Sequence, residues 1–181
     1  MTLSFTFEDN RTYHDDLLLE LGDQAYRCDS YYLAGDDGPL FDLSAANARR
    51  SLVRLVEQWC AALANLVDGR MLYLPFEWDD ERTGCIRCRR LGSDIELLVG
   101  DLPINGYFHS PRNITIFMAC IADNSDAEPQ DVPSTGLEPD KVVAGPTNYF
   151  RPKQGARPVT VEDEELKRSL DETRQRARDA V

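Results

Sequence analysis

The sequence lacks the features that mark membrane and secreted proteins. No run of about 18 apolar residues is present, and a helix needs about that length to cross a bilayer. Residues 1–8 contain neither a basic region nor an apolar stretch, so no signal peptide is expected. The five cysteines are odd in number and irregular in spacing, unlike a secreted disulfide framework. We therefore expect a cytoplasmic protein with reduced thiols.

Residues that commonly carry catalysis are also scarce. His14 and His109 are the only histidines. No G-x-S-x-G, H-E-x-x-H, glycine-rich phosphate loop or dinucleotide fingerprint is present. These absences predict a protein that is not an enzyme and that takes no cofactor.

One C-x-x-C motif, Cys85-Ile-Arg-Cys88, is present. It falls inside a predicted strand, where residues three apart point to opposite faces. We expect Cys88 on the core face and Cys85 on the polar face. A zinc site needs thiols that converge, so we predict neither a metal site nor a disulfide between the two.

Acidic residues outnumber basic ones, 32 to 20, which gives a net charge of −12. Residues 1–150 hold 25 acidic and 12 basic side chains, a net charge of −13, whereas residues 151–181 hold 7 and 8. A negative field repels nucleic acids and anionic membranes, and it attracts basic proteins. We therefore expect a protein partner. The alternative is that the charge serves solubility alone.

Hydropathy patterns predict an α+β fold, with a single mixed or antiparallel sheet, one long helix packed on a face, and a C-terminal helix. Residues 1–122 form the compact domain, residues 123–160 an irregular and partly mobile segment, and residues 161–181 the last helix. The predicted strands are Thr2–Phe7, Leu17–Leu21, Ala25–Leu33, Met71–Trp78, Cys85–Leu91, Asp94–Val99 and Asn113–Ala122. Pro75 favours an edge strand or a bulge.

The long helix is predicted over Ser44–Val67, with Ser44 as its N-cap and Asp68-Gly69 ending it. Apolar residues recur at spacings of three and four, as on one helix face. They are Leu52, Leu55, Val56, Trp59, Leu63, Leu66 and Val67. The last helix has a capping box of Thr160 and Asp163. Its apolar stripe is thin, so we expect it to dock weakly or to project.

Gly92-Ser93 predicts a two-residue hairpin turn of type II′. This turn fixes the register, pairing Leu91 with Asp94 and, further along, Cys88 with Leu97. The pairing collects apolar residues on one face and ion pairs on the other.

The segment Glu77-Trp-Asp-Asp-Glu81 combines carboxylates with a tryptophan in a predicted turn. We expect a partner-binding patch here, because an exposed tryptophan can anchor a contact and carboxylates can receive Arg or Lys. The candidate residues are Trp78, Asp79, Asp80 and Glu81, extended by Tyr31, Tyr32, Asp36 and Asp37. Two alternatives stand beside this hypothesis, namely a merely solvated turn and an enzyme that uses Glu77, Asp79 and Asp80.

The stretch from Met71 to Cys88, and more broadly Tyr73 to Val99, resembles a strand–acidic turn–strand segment of small bacterial proteins. Some of those proteins are immunity proteins of polymorphic toxin systems. The resemblance implies a protein that binds and neutralises a cognate toxin, and it assigns no contact residue. A dimeric structural protein that uses the last helix as an arm is a further alternative.

Overall fold

The computed structural model describes residues 3–34, 44–78, 82–103 and 150–179. Its elements, in chain order, are β1 Leu3–Phe7, β2 Leu17–Leu21, β3 Gln24–Cys28, α1 Tyr31–Ala34, α2 Ala45–Ala64, β4 Met71–Trp78, β5 Arg82–Leu91, β6 Asp94–Pro103, β7 Arg151–Pro152, β8 Val159–Glu162 and α3 Asp163–Asp179. None of the helices in these ranges is long and apolar enough to cross a membrane.

The strands form two antiparallel sheets. The small sheet has the order β1-β2-β3, and the large sheet has the order β4-β5-β6, with β7 and β8 both paired to β6. The α+β class and the antiparallel pairing are confirmed, but the expected single sheet is wrong. Among the described residues, the short strands β1 to β3 pair only with one another. Continuous antiparallel registers link β1 to β2 and β2 to β3.

Both sheets and both long helices share one hydrophobic core. At its centre Phe5 of β1 stacks on Trp59 of α2, with ring centroids 5.4 Å apart. Phe5 also meets Phe76 of β4 edge-on, at 6.2 Å. Aromatic pairs of this kind add to the hydrophobic gain of burial. Three rings therefore join the small sheet, α2 and the large sheet.

Helix α2 begins as predicted but ends earlier. The hydroxyl of Ser44 accepts a hydrogen bond from the Asn47 amide at 3.2 Å, as an N-cap does. The helix ends at Ala64, where the Asn65 amide turns to the carbonyl of Ala62. Val67 is 60% exposed, so its assignment to the buried stripe is wrong.

The predicted register of the β5–β6 hairpin is confirmed, from Leu91 opposite Asp94 to Cys88 opposite Leu97. Gly92 has a φ of 64°, which a glycine adopts without strain.

Pro75 lies in β4, which is an edge strand within the described part of the chain, and the β4–β5 register shifts just after it. The edge and the bulge that this proline predicts are both present.

The two cysteines of the C-x-x-C motif are free thiols on opposite faces of β5. Cys88 belongs to the main core, as expected. Cys85 is fully buried in a second cluster with Tyr73 and Leu102, against which Phe150 packs. The prediction that Cys85 lies on a polar face is therefore wrong, since this part of the outer face is apolar.

The C-terminal segment is more ordered than its composition suggests. β7 and β8 lie where an irregular segment was expected, and α3 begins only at Asp163. Thr160 belongs to β8 and not to a capping box, and the amide of Asp163 donates to the carbonyl of Ser93. Helix α3 contacts α2 and β1, which corrects the expectation of a weakly docked or projecting helix. Its buried residues are Leu166, Ser169, Leu170, Thr173 and Ala177.

Residues 31–34 also differ from prediction, because they form the short helix α1 and not the end of a strand. Several predictions fall outside the described residues. They concern the strand Asn113–Ala122 and most of the segment 123–160.

Candidate partner-binding surface

Helix α1 contacts β4, the strand that leads towards the predicted acidic turn. The link begins just before α1, where the thiol of Cys28 donates to the carbonyl of Phe76 at 3.7 Å. Phe76 precedes Trp78, the last residue of β4, by two positions. Tyr31, the first residue of α1, is 37% exposed. The tyrosine segment therefore neighbours the strand that leads into the acidic turn.

The other candidate residues are described in part or not at all. For Tyr32 and Trp78 the structure describes the backbone, in α1 and β4 respectively. The remaining candidates, namely Asp36, Asp37, Asp79, Asp80 and Glu81, lie outside the described residues. Residues 79–81 connect the end of β4 to the start of β5.

A loop that the sequence did not single out is also connected to α1. Residues 8–16, here called the acidic loop, join β1 to β2. Arg11, Tyr13 and Asp15 have φ values of 64°, 62° and 52°. Each non-glycine residue in this left-handed region costs roughly 1–3 kcal/mol, so the conformation persists only where surrounding contacts hold it.

Two aspartates hold the end of the acidic loop to the segment before α1 in a reciprocal arrangement. Asp29, between β3 and α1, accepts the amide of Asp15 at 2.8 Å, and its second oxygen lies 2.7 Å from His14 Nδ1. Asp16, at the end of the loop, accepts both the amide of Ser30 at 2.7 Å and its hydroxyl at 2.5 Å. Asp16 and Ser30 are buried. At this junction between the acidic loop and α1, each segment thus donates hydrogen bonds to a carboxylate of the other.

The surface around this junction carries an excess of negative charge. The acidic loop and Asp29 contribute five carboxylates, whereas the basic side chains of the loop and its neighbouring strand are Arg11 and Arg27. Arg27 donates to Glu8 at 2.8 Å and to the carbonyl of Asp15 at 2.9 Å. The hydrogen bond with Asp29, and then the charge of Asp29, raise the pKa of His14 above its usual value.

Glu77, a candidate in the alternative enzyme hypothesis, is held in an ion pair. Its carboxylate accepts Lys153 Nζ at 2.5 Å, and the same ammonium lies 5.5 Å from the centroid of the Phe76 ring. Burial alone lowers the pKa of Lys153, but the hydrogen bond and charge of Glu77, together with the charge of Asp101, outweigh it and raise that pKa. This ammonium stays charged, so Glu77 keeps its cationic partner.

The thiol nearest to this surface behaves as a buried core group. Burial raises the pKa of the Cys28 thiol, which therefore stays protonated. Within residues 3–34, 44–78, 82–103 and 150–179, no group of three or more His, Cys, Asp and Glu side chains could hold a metal ion.

No protein-family model matches the chain, and neither a curated protein nor a solved structure matches it. The candidate surface is therefore argued from the residues themselves.

Proposed function

We propose that this protein is a binding module that recognises a basic protein partner through one acidic face. The face comprises Tyr31 on α1, the acidic loop, and the connection that follows Trp78 at the end of β4. The contact between α1 and β4 carries the proposal. It brings the helix that begins with Tyr31 next to the strand that ends at Trp78, and in the sequence carboxylates follow shortly after each of these elements.

The charge distribution supports a basic partner. Residues 1–150 have a net charge of −13, whereas the remainder is nearly neutral. Such a field raises the association rate of a positively charged protein and suppresses acidic competitors. Aromatic side chains such as Tyr31 offer rigid contact area, and the carboxylates around them accept hydrogen bonds from Arg or Lys.

The acidic loop supports the proposal in a second way. Asp15, one of its left-handed residues, is held by Asp29, and the end of the loop is fixed by the buried pair of Asp16 and Ser30. A loop that is already fixed loses less conformational freedom when it binds, which favours affinity. Such a loop is suited to recognition.

A narrower form of the proposal is an immunity protein that neutralises a bacterial toxin. Its support is the resemblance of the Tyr73–Val99 segment and the acidic face. We further propose a reducing cytoplasm as the compartment, because the four described cysteines are free thiols.

We favour a binding module over an enzyme and over a dimeric structural protein. The ion pair of Glu77 with Lys153 gives this carboxylate a structural role, so it is a poor candidate for general acid–base chemistry. The buried contacts of α3 with α2 and β1 leave it poorly suited to be a dimerisation arm.

The test compares two charge reversals of equal size. A partner is first captured by cross-linking from the source cells, and its association rate is then measured at several salt concentrations. Asp79→Lys with Asp80→Lys changes the proposed face. Asp94→Lys with Glu162→Lys is the matched control, because these two acids pair with each other on β6 and β8, at the opposite end of β5.

We expect the first variant to associate about tenfold more slowly at low salt and to lose much of the salt dependence. The control should associate at nearly the wild-type rate. Equal rates for the two variants would remove the β4–β5 connection from the interface. For the immunity hypothesis, co-expression with a captured toxin should restore growth, and growth arrest that persists would refute it.

A further inference from the structure

His14 and Asp29 form the solvent-exposed end of the junction between the acidic loop and α1. Their side chains are 65% and 42% exposed, and Nδ1 of His14 lies 2.7 Å from the carboxylate. The imidazole also stacks on Tyr31, with nearly parallel rings 6.4 Å apart. One titratable ring thus contacts both the carboxylate that fixes the loop and the aromatic residue of the proposed face.

We propose that the His14–Asp29 pair is a pH-sensitive latch that holds the acidic loop against α1 while His14 is protonated and loosens it when His14 is neutral. For its relevance to partner binding, the latch rests on the proposed function. The latch itself is a property of the isolated chain.

The charges around His14 explain why its protonation matters. Asp29 faces it from the segment before α1, and Asp15 and Asp16 face it from its own loop; all three favour the charged imidazolium. The ring of Tyr31 on α1 lies parallel to the imidazole, with the centroids 6.4 Å apart. Arg27 of β3 binds the carbonyl of Asp15 at 2.9 Å, and it stays charged throughout the range in which histidine titrates.

When His14 loses its proton, the neighbouring carboxylates lose a counterion that Arg27 alone does not replace. The ion pair with Asp29 then becomes a weaker hydrogen bond from the neutral imidazole to the carboxylate. Asp15 lies in the left-handed region and donates its amide to Asp29, so its conformation depends on this carboxylate. The balance therefore shifts towards an open loop.

The sign of the pH dependence follows from linkage. Because the contacts with Asp29 raise the pKa of His14, the latched loop binds the proton more tightly than the open loop does. The extra stability of the latched form is therefore complete below the pKa of His14 in the open loop, and it is lost as the pH rises through the raised pKa of the latched loop. Across the titration, the ratio of latched to open loop changes about tenfold for each unit by which the pKa of His14 differs between the two forms.

The test uses the amide of Asp15, which donates to Asp29 in the latched form. Its hydrogen-exchange protection, corrected for the intrinsic effect of pH, is measured by NMR between about pH 5.5 and pH 8, a range that spans the titration of histidine. The pKa of His14 is measured in the same samples. Protection should fall across the titration by the fold-change that the pKa difference predicts.

Two variants and one control test whether the His14–Asp29 pair causes the pH dependence of Asp15 protection. Asp29→Asn should return the pKa of His14 towards its usual value and remove the pH dependence of Asp15 protection. His14→Gln should remove that dependence as well. Asp171→Asn, which changes a distant carboxylate paired with Arg174 on α3, should behave as wild type.

Protection of Asp15 that stays constant while His14 titrates in the wild-type chain would overturn the latch. The measurement involves no partner, so its result does not depend on whether the protein-binding proposal succeeds.

Discussion

The indole N–H of Trp59 donates a hydrogen bond to the carbonyl oxygen of Pro75 at 3.1 Å, deep in the core. This bond joins α2 to β4 at the point where the β4–β5 register shifts. A bulge leaves backbone groups without ladder partners, and here a buried side chain supplies one. Trp59 therefore serves the core in two ways, by its stacking on Phe5 and by this hydrogen bond.

Replacing Trp59 with Phe should destabilise the protein. The change keeps an aromatic ring but leaves the Pro75 carbonyl without its donor, which costs about 1–3 kcal/mol for a buried group, and the smaller ring adds a packing defect. Urea unfolding followed by circular dichroism measures the effect. Val67→Ala is the control, since Val67 is 60% exposed and its loss should change stability by less than about 0.5 kcal/mol. Equal unfolding midpoints for the two variants would contradict the prediction.

Gly100→Ala should also be strongly destabilising. A Cβ at this position would lie 2.5 Å from the carbonyl oxygen of Arg151 and would overlap the ring of Phe150. The oxygen belongs to the backbone of β7, which pairs with β6, so relief requires the strands to separate. We expect a loss of about 1–3 kcal/mol, the range for an overpacked site.

The matched control for this substitution is Gly155→Asn. Gly155 has a φ of 79° and open space around the position of a Cβ, and asparagine tolerates such a φ better than most residues. Thermal unfolding should separate the two variants clearly. A Gly100→Ala protein as stable as Gly155→Asn would show that β7 does not approach β6 as described.

The four described thiols should differ in reactivity towards iodoacetamide. The thiolate is the reactive form, and burial raises the pKa of Cys28, Cys85 and Cys88 far above the neutral range. Cys60 is only partly buried, although burial raises its pKa as well. Peptide mass spectrometry should find Cys60 alkylated first in the native protein. In urea the four rates should converge, and early labelling of Cys88 in the native state would refute the buried position.

Stability should depend on pH through Asp163, the first residue of α3. Burial alone would raise the pKa of this carboxyl, but hydrogen bonds from Lys167 and Arg90 outweigh burial and lower it. A lowered pKa gives a stabilisation that is present above the unfolded-state value and disappears as the pH falls through the folded-state value. Asp163→Asn should therefore cost about 0.3–1 kcal/mol at neutral pH, as for a charge at a helix N-terminus.

The difference between wild type and Asp163→Asn should shrink as the pH falls below about 4, where the unfolded carboxyl protonates. Urea unfolding at a series of pH values measures it. Glu164→Gln serves as the comparison, because Glu164 is 80% exposed and pairs only with Lys167 among the described residues. A pH-independent difference would rule out the charge of Asp163 as the cause.

Local patterns predicted the parts of the fold that depend on neighbours in sequence. The two-residue turn at Gly92-Ser93 and strict alternation fixed the β5–β6 register, and the N-cap at Ser44 fixed the start of α2. The end of α2 was not predictable from apolar spacing, since Val67 continues the pattern but points to solvent. The order of the segment 150–162 depends on pairing with β6, which a Pro- and Gly-containing sequence does not reveal.

The candidate surface was predictable only in part. The aromatic residue Tyr31 could be named from the sequence, whereas the contact of its helix α1 with β4 depends on how the two sheets pack around α2. The acidic loop was missed because its conformation is set by Asp29 and Ser30, residues beyond the next strand pair. The one local signal is the polar run from Asp9 to Thr12, where side-chain oxygens accept nearby amides.

The contact between α3 and β1 has a consequence for synthesis of the chain. Val161, Leu166 and Leu170 belong to the same core as Leu3 and Phe5, so the first strand and the last helix complete one hydrophobic interior. During translation the packing of β1 is completed only after residues 159–179 have left the ribosome, so the part of β1 that α3 covers stays exposed until then. A nascent chain halted before β8 lacks one wall of its core.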